Sequence, residues 1–362
     1  MIYLDYQATT PLAPEARDAM LKWLDGPDGT GFGNPHSPHR MGRMAAAAVD
    51  LARDQVAALF PPGGSVHFTG NACEAINLAM RGTVMKGGQK QGRVAISAIE
   101  HAAVRDTAMA IDDPVIMPVD RDGIADTHAN LPGDTALVCI MQVNNEIGTV
   151  QPVAQIAERA REAGALVLCD AVQGAGKFAA PGGADMIAIS AHKIYGPKGI
   201  GALWVRDGVD IDPQITGGLQ ERLRSGTLST ALCAGFGAAA ALAAERLEAD
   251  KALASSLWDR ALDLFEGWEV NGSRELRNHA NLSIRKDGLD VARLMSDCRD
   301  VMFSAGSACA SGSGKPSHVL KAIGLSDAQA KSTIRLGWGR YSAVEDLEAA
   351  AKVIINAAAQ QG

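Results

Sequence analysis

Short apolar runs recur along the first half of the chain and predict buried strands. Between residues 65 and 205 they read SVHFT, RVAIS, PVIMPV, ALVCIMQ, ALVLCD, DMIAIS and GALWV. The runs are continuous rather than alternating with polar residues, as is typical of strands covered on both faces. Segments with apolar residues at i, i+3 and i+4 lie between several of them, among them EAINLAMRGTVM and VAQIAERAREAG. This alternation predicts an α/β fold with a mostly parallel sheet and helices on both sides.

The pattern changes after an Ala-rich stretch at residues 231–244, which predicts a buried core helix. The stretch is too short to cross a bilayer, and Gly235 and Gly237 interrupt it. Few strand-like runs follow, such as NLSIR and TIRLGW, and they are accompanied by helical patterns near residues 250–266, 289–298 and 343–358. These elements predict a smaller α+β domain.

The chain has 362 residues, which suits two domains or one large domain with an appendage. We expect the opening IYLDY to pack with the C-terminal part. The predicted division is a large domain of residues 15–248 and a small domain of residues 1–14 and 249–362.

Composition and charge exclude several classes of protein. Apolar residues make up 47% and charged residues 21% of the chain, as in a folded globular protein. The net charge is −7 and no basic stripe is visible, which argues against nucleic-acid binding. The first residues lack the basic and apolar regions of a secretory signal, so we expect a cytoplasmic protein that does not associate with membranes.

Six cysteines are scattered along the chain without a CxxC pair, so the sequence indicates neither a zinc ribbon nor a disulfide framework. Five of them lie in apolar or helical segments and are interpreted as small buried hydrophobic residues. Cys309 differs, because it lies in SAGSACASGSGKP, a segment of small residues that predicts a mobile, exposed loop. A thiol in such a loop can react.

Polar side chains follow the predicted strands at their carboxyl ends, where open α/β sheets bind ligands. Asp170 ends one strand. Its carboxylate could cap the next helix, or it could pair with the N–H of a heterocyclic ligand. The next strand leads into Ser190, His192 and Lys193. This hydroxyl, imidazole and ammonium suit phosphate binding and Schiff-base chemistry. Lys198 follows Gly-Pro and is predicted to be solvated.

Other strand ends add candidates to the same rim. Gly70-Asn71-Ala72-Cys73 opens a predicted helix, where free N–H groups could hold a phosphate. Glu100-His101 and Asn144-Asn145-Glu146 follow two further strands and could equally be core or turn residues. Arg335, in TIRLGWGR, is either a carboxylate clamp or a surface arginine.

Several motifs, in order along nearly the whole chain, closely resemble those of cysteine desulfurases: LDYQATTP, GNPHSPHRMGR, EHAAV, NNEIGTVQP, DAVQ, SAHKIYGPKGIG, RSGTL and GSAC. These are fold-type I pyridoxal phosphate (PLP) enzymes of the class V aminotransferase group. The resemblance implies conversion of L-cysteine to L-alanine, with sulfur transferred to an enzyme cysteine as a persulfide. It also implies a homodimer and a sulfur-acceptor protein, such as a scaffold for iron–sulfur clusters or a relay for tRNA thiolation.

The resemblance also implies roles for residues of this chain. Lys193 would form a Schiff base with PLP, and His101 would stack on the pyridine ring as a further catalytic residue. Asp170 would pair with the ring nitrogen, Gln173 would bond the ring hydroxyl, and Asn145 would contact that hydroxyl or the substrate.

The phosphate of the cofactor would be held by Ala72, Cys73, Ser190, His192 and Thr227. Of these, Thr227 would come from the partner subunit. Arg335 would bind the substrate carboxylate, and Cys309 would be the catalytic nucleophile that takes the sulfur.

Two features depart from the pattern of the resembling family. Relatives usually have threonine where this chain has Cys73, and often glycine where it has Asn71, so one phosphate hydroxyl is missing. GGLQERLRSGT is also one residue shorter than the common pattern. Competing functions are a selenocysteine lyase, another class V aminotransferase and a catalytically silent sulfur-relay or scaffold subunit.

Overall fold

The computed structural model describes residues 1–218, 221–306 and 316–361. Its strands are, in chain order, β1 (Ile2–Tyr3), β2 (Gly64–Thr69), β3 (Met85–Lys86), β4 (Gln89–Lys90), β5 (Arg93–Ser97), β6 (Val115–Met117), β7 (Thr135–Met141), β8 (Leu166–Asp170), β9 (Met186–Ser190), β10 (Gly201–Arg206), β11 (Glu269–Val270), β12 (Asn281–Arg285), β13 (Val301–Met302), β14 (Ser304–Ala305) and β15 (Thr333–Gly337).

The helices are, in chain order, α1 (Pro14–Leu21), α2 (Arg40–Ala57), α3 (Ala72–Val84), α4 (Ala102–Ile111), α5 (Val153–Glu162), α6 (Thr230–Leu264), α7 (Val291–Asp297), α8 (His318–Ala322), α9 (Asp327–Lys331) and α10 (Val344–Ala359). A single 3₁₀ turn, Ala191–Lys193, follows β9 directly.

The large sheet has seven strands in the order β2-β10-β9-β8-β7-β5-β6. The strands from β9 to β6 are parallel, whereas β10 runs antiparallel to both β9 and β2. Every apolar run of the first half of the sequence is a strand of this sheet. The predicted α/β fold with a mostly parallel sheet is therefore confirmed.

Helices cover both faces of this sheet, and β7 shows how the sequence produces that arrangement. Successive residues of a strand point to opposite faces. Val138 and Ile140 pack into a core with residues of α2 and α5, whereas Leu137 and Cys139 pack into a core with residues of α3 and α4. Both sets of side chains are buried, which explains why the strand reads as one continuous apolar run.

A second, antiparallel sheet has the order β11-β12-β15-β14 and packs with α7, α10 and the end of α6 in a core of its own. The opening segment joins this part of the chain, as predicted. Ile2 of β1 pairs with Val301 of β13, and Leu4 is buried in the same core. This pairing brings the N-terminal segment beside β15, where Asp5 bridges Gly337.

One helix, α6, connects the two cores, and the sequence analysis wrongly predicted it as two helices. The segments near 231–244 and 250–266 were expected to be separate, but α6 has 35 residues and contains no glycine or proline after Gly237 that could break it. A Cβ on Gly237 would lie 2.7 Å from the Cα of Ala52, so this glycine permits close packing against α2. The predicted domain boundary at residue 248 falls inside α6, and the division stays a prediction.

In the part of the chain that the structure describes, α6 is also the helix that is long and apolar enough to span a membrane, judged by length and composition alone. Half of its most apolar window is buried inside the protein. This burial, and its packing against α1 and α2, is typical of a core helix.

Candidate active site

A cavity of about 270 Å³ opens at the carboxyl ends of the parallel strands. It gathers side chains from five strand ends, those of β2, β5, β7, β8 and β9, and from β15 of the small sheet. The predicted site residues that line it are Ala72, Cys73, His101, Asn145, Asp170, Gln173, Ser190, His192, Lys193 and Arg335. The sequence-based prediction thus converges on one site, apart from Thr227 and Cys309.

Lys193 ends the 3₁₀ turn after β9, and the N-terminal segment positions its amine. The Nζ atom donates to the backbone carbonyls of Gln7 and Ala8, the latter at 2.9 Å. The sequence analysis assigned no site role to Gln7 or Ala8, because their carbonyls have no signature in the sequence. Lys198, in contrast, is exposed, as predicted.

His192 lies beside Lys193 and is held neutral. Its Nδ1 is 3.1 Å from the Thr9 hydroxyl. Burial lowers the pKa of His192 to about 4, with smaller contributions from the charges of Lys193 and Lys198. A neutral imidazole can still hydrogen-bond an anion.

The turn after Lys193 is fixed by an unusual backbone conformation at Tyr195. Its backbone angle φ is 67°, in the left-handed region that residues other than glycine rarely adopt. The Tyr195 amide donates to the Thr10 hydroxyl at 2.8 Å, and the Arg340 amide donates to the Tyr195 hydroxyl at 2.8 Å. These contacts hold the strained residue in place and so fix the direction in which the chain leaves the lysine.

Asp170 ends β8 and is buried without an ion-pair partner among the described residues. Its Oδ1 accepts a hydrogen bond from the Val172 amide at 3.0 Å. Burial raises the pKa of this carboxyl, while His101 and Lys193 oppose the rise. A buried carboxylate of this kind is completed by a cationic N–H of a ligand.

Two buried polar atoms near Asp170 have no hydrogen-bond partner in the described residues. They are the Ser190 hydroxyl oxygen and the Gln173 side-chain oxygen. The amide nitrogen of Gln173 donates to the Gln7 carbonyl at 3.0 Å, which fixes the side chain at the cavity wall. Buried unsatisfied groups are costly, so their position on a cavity indicates that a polar ligand completes them.

The turn between β2 and α3 forms the other end of the cavity. Asn71 caps α3 by accepting from the Glu74 amide at 3.0 Å, and Ala72 and Cys73 line the cavity at the positive end of the helix dipole. Gly201 allows this turn to lie close to β10, because a Cβ there would be 2.6 Å from the carbonyl carbon of Asn71. The turn therefore suits an anionic group such as a phosphate.

The cavity corrects one interpretation of the cysteines. Cys139, Cys169, Cys233 and Cys298 are buried, as predicted, but Cys73 is exposed. The prediction for Cys73 was wrong because the first turn of α3 faces the cavity, whereas later apolar positions such as Leu78 and Ala79 are buried in the core. Cys309 lies outside the described residues.

Arg335 lies in the middle of β15 and is 1% exposed, so it is not a surface arginine. Its Nη1 donates to the Asn145 carbonyl at 2.9 Å, and its Nη2 donates to Asp5 at 2.8 Å. Asp5 also accepts from the Ser304 hydroxyl at 2.9 Å. These contacts orient the guanidinium at the cavity, and the sequence analysis missed the part played by Asp5.

His101 is the N-cap of α4, and its Nδ1 accepts from the Ala103 amide at 3.1 Å. This hydrogen bond fixes the ring at the cavity edge and places a proton on the other nitrogen of the neutral ring. The preceding Glu100 is fully buried and connects two strands. It accepts from the Ser97 hydroxyl at 2.5 Å and from the Met141 amide at 2.9 Å.

We expect Glu100 to make stability depend on pH. Burial raises the pKa of this carboxyl to about 8, whereas its ordinary value is 4.5. The folded state therefore keeps a proton that the unfolded chain releases, so stability falls as pH rises from 4.5 to 8, by up to about 1.4 kcal/mol per pH unit. Glu100→Gln should remove this dependence, and its melting temperature should gain on the wild type between pH 5.5 and 8.5. Parallel curves for the two proteins would contradict the assignment.

Both ends of the segment that contains Cys309 lie near the cavity. On the N-terminal side, the Gly306 amide donates to the Thr333 carbonyl at 3.0 Å. On the C-terminal side, the Ser317 hydroxyl donates to Glu146 at 2.5 Å, and His318 Nε2 is 2.9 Å from the Glu100 carbonyl. Glu146 adjoins Asn145, and Thr333 belongs to the strand of Arg335. The chain thus enters and leaves residues 307–315 beside the candidate site.

Thr227 does not line this cavity within its own chain. It is exposed and borders a separate depression with Gly70 and Arg224. Arg224 donates to Glu74 at 2.8 Å, and the second oxygen of Glu74 accepts from the Gly70 amide. The segment of Thr227 is thereby attached to the turn before α3.

The sequence model of the family described as aminotransferase class-V matches residues 2–350. The chain belongs to the class-V aminotransferase family. Class-V aminotransferases are PLP-dependent. The fold and the convergence of Lys193, Asp170 and Arg335 on one cavity agree with membership of this family.

Individual class-V members give a consistent comparison. A cysteine desulfurase IscS from Shewanella denitrificans is 40% identical over 372 aligned positions, covering 98% of this chain and 91% of the relative. The X-ray structure of a NifS-like protein from Rickettsia africae has a TM-score of 0.87 at 27% identity and covers 99% of both chains. A structure of SspA in complex with cysteine has a TM-score of 0.81 at 33% identity, with 95% of this chain and 100% of that chain covered.

The residues at the cavity fit PLP. The cofactor of this family would bring a cationic ring nitrogen, a hydroxyl and a phosphate. Asp170 lacks a cationic partner, Ser190 and Gln173 have unsatisfied buried atoms, and the turn at Ala72 suits an anion. The cavity therefore offers a complementary group for each polar part of the cofactor.

Proposed function

We propose that this protein is a PLP-dependent cysteine desulfurase that converts L-cysteine to L-alanine and transfers the sulfur to its own Cys309. The observation that carries the proposal is the convergence of Lys193, Asp170 and Arg335 on one cavity, beside the ends of the segment that holds Cys309. The relatives named cysteine desulfurase and the neighbour in complex with cysteine support it.

Each side chain would contribute a distinct part of cofactor binding. Lys193 would hold the cofactor covalently, Asp170 would pair with its ring nitrogen, and Gln173 would bond its hydroxyl. His101 would cover the ring. The phosphate would be bound by Ala72, Cys73, Ser190, His192 and, from the partner subunit, Thr227. When bound, PLP supplies an electron sink for bond changes at the substrate α-carbon.

The remaining residues would act on the substrate. Arg335 would bind the carboxylate of cysteine, and Asn145 would contact the substrate or the ring hydroxyl. The amine of Lys193 would move protons at the α-carbon. The Cys309 thiolate would attack the substrate sulfur, the carbon–sulfur bond would break, and the carbon fragment would take up protons to become alanine. The sulfur ends as a persulfide on Cys309, so the reaction needs no external oxidant.

Assays with three substrates separate this proposal from its rivals. A cysteine desulfurase should release alanine from L-cysteine and form a persulfide. A selenocysteine lyase should act on selenocysteine and not on cysteine. An ordinary aminotransferase should convert a 2-oxo acid into an amino acid without persulfide. A silent relay subunit should show neither activity nor the visible absorbance of bound PLP.

Arg335→Leu should weaken substrate binding much more than cofactor binding. A charge-assisted hydrogen bond contributes about 1.5–3 kcal/mol, so KM for cysteine should rise by roughly 10- to 150-fold. The visible absorbance of the cofactor should stay unchanged. Asp5→Asn is the matched control for orientation, because it keeps the guanidinium and loses only its charged partner, and it should cause a smaller rise. An unchanged KM in Arg335→Leu would show that another residue binds the carboxylate.

We also propose that the active unit is a homodimer in which Thr227 completes the partner's phosphate site. The exposure of Thr227 and its separation from the cavity of its own chain support this arrangement. Large exposed apolar side chains in the N-terminal part of the chain offer a surface for the partner, namely Leu21, Leu24, Phe32 and Leu51.

Mixing two inactive variants tests the dimer. Lys193→Ala and Thr227→Val chains would form heterodimers in which one site carries both defects and the other is intact. Exchange of subunits should therefore restore activity, up to about half of the wild-type rate per heterodimer. Absence of rescue, with subunit exchange demonstrated by mass, would place Thr227 in the site of its own chain.

The persulfide would pass its sulfur to an acceptor protein. That acceptor would be a scaffold for iron–sulfur clusters or a relay protein for tRNA thiolation. Pull-down from the native cell followed by persulfide-transfer assays would identify the acceptor. The cytoplasmic location expected from the sequence stays a prediction.

A further inference from the structure

A second cavity, of about 210 Å³, lies between the two cores of the molecule. Residues of both cores line it: Ile194 belongs to the core of the large sheet, and Ala254 and Trp338 belong to the core of the small sheet. Gln7 lines this cavity and the candidate active site alike. Small-molecule sites are frequently found at such boundaries between domains.

Lys177 at the wall of this cavity has no counter-charge. Its Nζ makes one long hydrogen bond, 3.4 Å to the Gln173 carbonyl. Within residues 1–218, 221–306 and 316–361, no carboxylate lies within 4.0 Å of it. Burial and, to a smaller extent, the charge of Lys193 together lower the pKa of Lys177 to about 7. A half-buried amine in this position is stabilised by an anion.

The two arginines of the cavity already have partners, although Arg277 Nε and Arg340 Nη1 have no hydrogen-bond partner among the described residues. Arg340 donates to Asp250 at 2.7 Å and lies 4.3 Å from the ring centre of Tyr195. Arg277 donates to three backbone carbonyls and lies over the ring of Trp258. Asp250 is the single carboxylate among the described lining residues, against four cationic side chains, Lys177, Lys251, Arg277 and Arg340. The cavity therefore has an excess of cationic side chains. Lys251 pairs with Glu248 at 3.3 Å, so among these four cations Lys177 has neither a carboxylate nor an aromatic partner in the described residues.

The walls between these cations are apolar and are formed by Phe178, Ile194, Leu247 and Trp338. We propose that this cavity is a second ligand site, which binds a small monocarboxylate with an apolar body through the amine of Lys177. One negative charge matches one available amine. A phosphate is disfavoured, because an anion with two charges loses more hydration in an apolar environment.

Benzoate is a suitable probe, with benzamide as its neutral match. Calorimetric titration would use the protein as purified, treated with borohydride so that any bound cofactor is fixed at the active-site lysine. Benzoate should bind in a saturable manner at one site per chain, and benzamide at least tenfold more weakly. Inorganic phosphate should not compete. Absence of saturable benzoate binding would overturn the proposal.

Three variants locate the binding. Lys177→Met keeps the length of the side chain and should weaken benzoate at least tenfold. Lys198→Met removes an exposed lysine and should change nothing. Arg335→Leu removes the carboxylate clamp of the first cavity and should also leave benzoate affinity unchanged. Retained affinity in Lys177→Met, or a loss in Arg335→Leu, would assign the probe elsewhere and overturn the proposal.

A fourth variant keeps the test decisive if Lys177→Met does not fold. Leu247→Trp fills the cavity from α6 without removing any charge, and Leu247 is only half-buried. Benzoate binding should be lost in this variant at an unchanged melting temperature. Unchanged affinity would overturn the proposal. This inference does not depend on the desulfurase activity, because every readout is binding of the probe.

Discussion

Lys193→Ala is expected to lower alanine formation from cysteine by at least about 10³-fold, since under the proposed function it removes both the covalent link to the cofactor and a general base. The visible absorbance of the linked cofactor should disappear, while PLP still binds through Asp170 and the phosphate turn. Borohydride reduction and peptide mapping of the wild-type protein should find the pyridoxyl group on Lys193.

Lys198→Ala is the matched control, because it removes an exposed lysine five residues away in the same motif. Its absorbance and rate should equal those of the wild type. Recovery of the pyridoxyl group on Lys198, or a normal rate in Lys193→Ala, would contradict the assignment and the interpretation of the turn after β9.

Cys309→Ser should lower the rate of alanine formation by about 10³-fold or more, because a serine hydroxyl is a far weaker nucleophile than a thiolate at neutral pH. The variant should still bind cysteine and change the absorbance of the cofactor, since that step depends on Lys193 and Arg335. Rapid-mixing spectroscopy together with alanine quantification separates the two effects.

Cys73→Ser is the control for Cys309→Ser, because Cys73 is the exposed cysteine that lines the cavity itself. It should keep most of the activity, and its hydroxyl could restore a phosphate contact. Loss of turnover in Cys73→Ser with normal turnover in Cys309→Ser would move the nucleophile to α3.

The strands of the large sheet could be predicted because each reads as an apolar run and the central ones, such as β7 and β9, are buried on both faces. The reversed direction of β10 could not be predicted from the sequence. A buried antiparallel strand such as Gly201–Arg206 has the same apolar composition as its parallel neighbours. The continuity of α6 was missed because its second half carries charged residues and its pattern resembles a new helix. The polarity of its residues indicates which side of a helix faces solvent. It does not indicate where the helix ends, which glycine and proline mark more reliably.

The candidate site shows a similar division. Asp170 and Lys193 could be found because they directly follow strands whose carboxyl ends share one edge of a sheet. Asp5 and the carbonyl of Gln7 could not, because they reach Arg335 and Lys193 across 330 and 186 residues of sequence. Such contacts depend on the pairing of β1 with β13, which the local pattern does not specify.

The most direct test of the desulfurase proposal is mass spectrometry of the wild-type protein after one turnover with L-cysteine in the absence of reductant, together with quantification of alanine. The account predicts one alanine per chain and one added sulfur atom, mapped to Cys309. A sulfur on Cys73 or Cys298 with Cys309 unmodified, or alanine released without any added sulfur, would contradict it.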